Sequence, residues 1–174
     1  VVKDILGWHV MAERCFDLGS KGDLWVLLLH KERWSFPLLH IGAGSNLLFS
    51  GDFKGTVLHS GIKGIELAAE DENCVWVRVG AGVVWDDFVA YAVDHEWYGA
   101  ENLSYIPGEV GASAVQNIGA YGAEAKDLID TVETVEIATA KGKVFRNEEC
   151  GYAYRESVFK KDLKGKFVVT HVTY

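Results

Sequence analysis

The chain has 174 residues, enough for one domain of ordinary size or two small ones around a buried core. With 49% hydrophobic residues it is not a disordered polymer. A net charge of -8, with no run of Lys or Arg longer than a pair, argues against a nucleic-acid binder but leaves anionic small molecules open, since backbone N–H groups can bind them.

Ser20 with Asp23 marks a helix start, and residues 23–33 place Leu24, Leu27 and Leu28 on one face before Pro37 stops the run. A short apolar strand over residues 38–41 leads into Gly42, Ala43, Gly44, Ser45 and Asn46. A strand followed by a glycine turn presents backbone N–H groups to a phosphate. The third glycine of a dinucleotide fingerprint is missing, because Leu47 stands there, so this is a different phosphate loop or a tight turn.

A strand is expected at residues 56–58. Residues 65–69 and 75–79, joined by a polar turn, read as a hairpin that ends at Gly80, Ala81 and Gly82. Residues 84–95 then read as an amphipathic helix with Trp85, Phe88, Val89, Ala92 and Val93 inward and Asp86, Asp87 and Asp94 outward. Trp85 is expected in the core and not against a ring ligand.

Residues 106–122, IPGEVGASAVQNIGAYG, hold too little apolar periodicity for a long helix and too many glycines for an unbroken strand. Glycine and alanine admit a flat or anionic ligand, while Ser113, Gln116 and Asn117 offer hydrogen bonds to a polar ring edge; an irregular surface loop is the plainer alternative. A short helix is expected near residues 124–128, a strand over 131–138 with a hairpin partner at 144–146, and a last strand over 167–174 that runs off the end of the chain. One βαβ-like unit followed by hairpins predicts an α+β protein in two lobes, residues 1–64 and 65–174.

Cys15, Cys74 and Cys150 are far apart and odd in number, which fits reduced thiols in a cytoplasmic protein. Six scattered histidines form no HxH or HxxxH pair, so no metal is expected. There is no signal-peptide pattern and no run of about 18 apolar residues, so neither membrane nor export is expected.

IGAGSNLLF, VGAG, ENLSYIPGEVGASAVQNIGAYG and YRESVF together resemble the UDP-N-acetylenolpyruvoylglucosamine reductases, the MurB family of peptidoglycan synthesis, from about Leu38 to Tyr174. The resemblance implies the two-lobed FAD-binding fold of the vanillyl-alcohol oxidase type. It implies non-covalent FAD, NADPH as reductant and a UDP-sugar enolpyruvyl ether as substrate. It puts Gly42, Ala43, Gly44, Ser45 and Asn46 at the FAD pyrophosphate. Ile106, Pro107, Gly111, Ala112, Ser113, Asn117, Ile118 and Gly122 fall along the adenine-to-flavin path, Tyr121 on a substrate-contacting tyrosine and Arg155 on the active-site arginine.

Without the motif, Arg155 would read as a surface ion pair with Glu156. The family's proton-donor serine and second acid belong to a third, substrate-binding domain beyond Tyr174, so the chain reads as a fragment, a monomer when full length, that binds flavin with crippled turnover. Asp4, Ile5, Leu6 and Gly7, followed by Trp8 and His9, stand where the family has an Asn-Thr-aromatic motif, and no cofactor contact is expected there. A flavin-binding fragment without turnover and an oxidase or dehydrogenase of the same fold are the alternatives.

Overall fold

The computed structural model describes residues 2–3, 6–7 and 9–174, so the comparison made at Asp4, Ile5 and Trp8 lies outside it. Two short strands, β1 (Val2–Lys3) and β2 (His9–Val10), pair antiparallel at the start. β3 (Ala12–Asp17) comes next, a strand without a sequence-based expectation.

The first helix, α1 (Lys21–Leu29), begins as predicted: the Asp23 N–H donates to Ser20 Oγ at 3.1 Å, and Leu24, Leu27 and Leu28 are buried. It stops at Leu29, one turn earlier than expected. Trp34 Nε1 donates to Leu27 O at 3.1 Å, a second donor beside the His30 N–H at the helix end, and Lys31–Arg33 form a separate 3₁₀ turn.

β4 (Leu38–Ile41) and β5 (Phe53–His59) run parallel and complete a three-stranded sheet in the order β3-β5-β4. β5 is longer than the three residues predicted.

The second sheet starts with the expected hairpin, β6 (Ile65–Glu70) and β7 (Val75–Gly80). The next helix, α2 (Trp85–Asp94), buries Trp85, Phe88, Val89 and Ala92. Val93 was expected inward and is exposed, because it sits past the edge of the stripe set by the other four. Trp85 is a core residue whose Nε1 donates to Leu103 O at 2.7 Å.

Residues 106–122 are not an irregular loop throughout. They contain α3 (Val110–Gln116), then β8 (Gly119–Ala120) paired with β9 (Ala123–Glu124). Two carbonyls of the turn after β7 organise the start of α3: Val110 N–H donates to Val83 O and Gly111 N–H to Ala81 O, at 2.9 and 2.8 Å. Small side chains let the helix lie close to the sheet; a Cβ on Gly111 would stand 2.9 Å from the Ala81 Cβ.

β10 (Thr131–Glu136), β11 (Gly142–Arg146) and β12 (Phe167–Thr173) complete an all-antiparallel sheet in the order β11-β10-β12-β7-β6. The last strand therefore ends the chain at the centre of a sheet, not at its edge. Its two faces serve two cores: Val169 and Val172 pack with α2 and α3, while Val168 packs with Leu24, Leu27, Leu28 and Leu58 of the first sheet and its helix.

Candidate cofactor site

Ligands of parallel sheets sit beyond the carboxyl ends of the strands, and β4 delivers residues 42–46 to that edge. Among the described residues, the N–H groups of Ala43, Gly44, Ser45 and Asn46 donate to no protein acceptor. Polar backbone held open in this way is an anion-binding concavity.

The turn is tied to the second glycine stretch by two bonds. Asn46 Nδ2 donates to Gln116 Oε1 at 2.9 Å, and Ser45 Oγ donates to Pro107 O at 3.4 Å. Between them runs a cleft of about 370 Å³, with Gly42, Gly44 and Asn46 on one wall and Gly111, Ala112 and Gln116 on the other. That volume lies within the roughly 300–1,000 Å³ typical of small-molecule sites. The hydroxyl of Ser60, just past the end of β5, is buried, has no hydrogen-bond partner among the described residues and lines the same cleft.

A charged relay closes the base. Glu109, nearly buried, lines the cleft and meets His59 Nε2 through both oxygens, at 2.9 and 3.1 Å. His59 Nδ1 meets Asp17 Oδ1 at 2.9 Å. With a carboxylate at each ring nitrogen, His59 is held above the ordinary histidine range, the Glu109 hydrogen bond being the main cause. Burial, and then the charge of His59, push the neighbouring His40 down to about 4.

Of the residues singled out in the sequence, Gly42, Ala43, Gly44, Ser45, Asn46, Gly111 and Ala112 come together on the cleft, and Pro107 joins them through its carbonyl. The others lie elsewhere. Ser113 is buried, with its hydroxyl between Val110 O and the Tyr174 hydroxyl, each at 2.7 Å. Asn117, at φ 48°, donates to Ala153 O and accepts from the Lys126 N–H, both at 2.9 Å. Ile118 is in the core and Ile106 packs against it.

Tyr121 and Gly122 form the tip of the β8-β9 hairpin, where Tyr121 is 95% exposed. Arg155 donates through Nη2 to Gly119 O at 2.6 Å, at the base of that hairpin, while Glu156 is ion-paired with Lys161. The arginine is thus committed to the hairpin and not to its sequence neighbour. Ser60, His59 and Glu109 were missed. For His59 and Ser60 the signal is position, since β4 and β5 are parallel neighbours and the residues at the carboxyl ends of both strands reach one edge; Glu109 joins them from the start of α3.

The profile of the FAD binding domain family matches residues 27–147. The chain belongs to this family. It is 58% identical over 147 residues to the UDP-N-acetylenolpyruvoylglucosamine reductase of Bacteroides fragilis, covering 84% of this chain and 44% of that one. It is 54% identical over 134 residues to the reductase of the same name from Porphyromonas gingivalis, 77% of this chain and 40% of that one. The chain thus spans less than half the length of these curated relatives.

A crystal structure of UDP-N-acetylenolpyruvylglucosamine reductase (MurB) from Thermus caldophilus superposes with a TM-score of 0.75 at 26% identity, covering 99% of this chain and 59% of that one. Cholesterol oxidase from B. sterolicum shares the fold alone, with a TM-score of 0.61 at 14% identity over 91% of this chain and 33% of that one. The expected resemblance and the FAD-binding α+β fold are both borne out. Three observations of the cleft fit the family's cofactor: the open row of N–H groups suits a diphosphate, the glycine and alanine walls admit it closely, and the Ser60 hydroxyl awaits a partner.

Among the described residues, no group of three or more His, Cys, Asp or Glu is placed to hold a metal, and no helix is long and apolar enough to cross a membrane.

Proposed function

We propose that the cleft between residues 42–46 and α3 binds FAD non-covalently, and that the chain is the flavin-holding part of a cytoplasmic, NADPH-dependent UDP-N-acetylenolpyruvoylglucosamine reductase built from lobes 1–64 and 65–174. The observation that carries this reading is the unpaired N–H row of Ala43 to Asn46, which faces Gly111 and Ala112 across a cleft of about 370 Å³. When bound, FAD supplies a two-electron carrier between the nicotinamide and the substrate.

The residues of the chain do the rest. Ala43, Gly44, Ser45 and Asn46 hold the diphosphate by backbone donation, and Asn46 and Gln116 keep the two walls in register. The β8-β9 hairpin presents Tyr121 to the UDP-sugar, a role consistent with its exposure. Arg155 stands at the base of that hairpin, where a planar guanidinium stabilises the enolate-like negative charge that develops on the enolpyruvyl carboxylate as a hydride reaches the β-carbon of that group. Lysine would supply charge without the two-pronged geometry.

The test is a visible-absorption titration of the protein with FAD, followed by anaerobic NADPH. Flavin bands that shift on binding and bleach with NADPH are expected. Free-flavin spectra at saturating protein would overturn the reading, and flavin binding without bleaching would restrict it to a flavin-holding role.

A further inference from the structure

An anion site with a carboxylate in its wall poses an electrostatic problem. Glu109 lines the cleft, and a Cβ on Gly42, the first residue of the anion turn, would lie only 3.1 Å from Glu109 Oε2. An unscreened charge there would oppose a diphosphate across a nearly dry wall. The structure answers it with His59, whose ring reaches from β5 to Glu109 on one side and to Asp17 on β3 on the other.

We infer that His59 is a positioning residue which masks the Glu109 charge, so that flavin binds tightly while the imidazole is protonated and weakly once it is neutral. The inference rests on the FAD reading of the cleft. The groups facing the imidazole are Glu109 at the start of α3, Asp17 on β3 and, across the β4-β5 pairing, His40 on β4. Two of these are carboxylates, and His40 is held neutral by its low value at the pH where His59 titrates.

Charge counting gives the sign. Protonated His59 leaves Asp17, His59 and Glu109 with one net negative charge, and deprotonation leaves two, with Glu109 uncompensated beside the turn. The diphosphate keeps its own charge throughout, so affinity falls as pH rises through the raised histidine value.

The experiment measures the Kd for FAD by flavin fluorescence between about pH 6 and about pH 9, a range that brackets a raised histidine. Wild type, Glu109→Gln and His59→Asn are compared, with thermal unfolding of each recorded at every pH. Wild-type Kd is expected to rise about tenfold across the range, a change of about 1.4 kcal/mol. Glu109→Gln should bind at about pH 9 as tightly as wild type does at about pH 6. His59→Asn should be weak and nearly flat. A flat wild-type profile with intact flavin binding would overturn the inference and leave the FAD reading standing, as would a Glu109→Gln protein that is folded but weaker than wild type at the alkaline end. No flavin binding at any pH, by wild type or variants, would overturn the FAD reading and the inference with it.

Discussion

Two stretches rich in glycine and small polar residues use their hydrogen-bonding groups in opposite ways. Residues 42–46 leave a strand and spend almost none of their backbone donors on the protein. Residues 106–122 turn more of theirs inward: two carbonyls of the turn after β7 accept from the first N–H groups of α3, and Ser113 and Asn117 bond to neighbouring segments. The first stretch is open because it projects past the end of a parallel sheet, and the second is closed because it lies flat on an antiparallel one. Glycine opens the turn in the first case; in the second, Gly111 both packs against Ala81 and lines the cleft. Hydrogen-bond accounting separates the two where composition does not.

The sharpest way to break this distinction is Asn117. It is fully buried in a left-handed conformation and satisfies two backbone groups from other segments. Asn117→Leu orphans both and adds the left-handed cost, so urea unfolding should show a loss of about 4 kcal/mol. A loss below about 1 kcal/mol would mean that this stretch is not scaffold.

Next in size is Glu133, which belongs to the same scaffold side. Arg78, with weaker contributions from His171 and Lys21, holds its carboxyl at about 2 against an ordinary 4.5. A depressed carboxyl contributes stability above its unfolded value, and that contribution is lost as pH falls from about 4.5 toward about 2. Glu133→Gln should therefore cost roughly 2–3 kcal/mol at neutral pH and flatten the acid limb of stability against pH. An unchanged acid limb in the variant would remove Glu133 from the scaffold. Gly111→Ala comes third. Its new methyl would meet the Ala81 Cβ at 2.9 Å and lift α3 from the sheet, costing about 2 kcal/mol and weakening flavin binding in the same titration.

Legibility in the sequence divides along the same line. The strand at residues 38–41 and the hairpin from 65 to 80 were readable because their apolar runs end at glycine or a polar turn. β3 was not, because most of AERCFD is exposed at the edge of its sheet and leaves no alternating apolar face. α3 was hidden by its small residues, which a packed surface accepts but periodicity cannot register. The cleft residues in the first glycine turn were evident from the motif. Ser60, His59 and Glu109 were not, since each acquires meaning only when β4 and β5 align and α3 folds across their ends.

Asn46→Ala is the smallest change and the most discriminating. Its side chain makes one exposed bond across the cleft, to Gln116 at 2.9 Å, and touches no core. Exposed hydrogen bonds contribute little to folding, so the unfolding free energy should move by less than about 0.5 kcal/mol. The same bond sets the spacing between the open turn and the closed helix, so FAD affinity should fall about fivefold, close to 1 kcal/mol. Gln116→Ala should reproduce the loss, and the double variant should add almost nothing, as expected for two halves of one contact. Were the single losses additive, the two residues would act on the flavin separately, and the cleft would owe its width to the backbone alone.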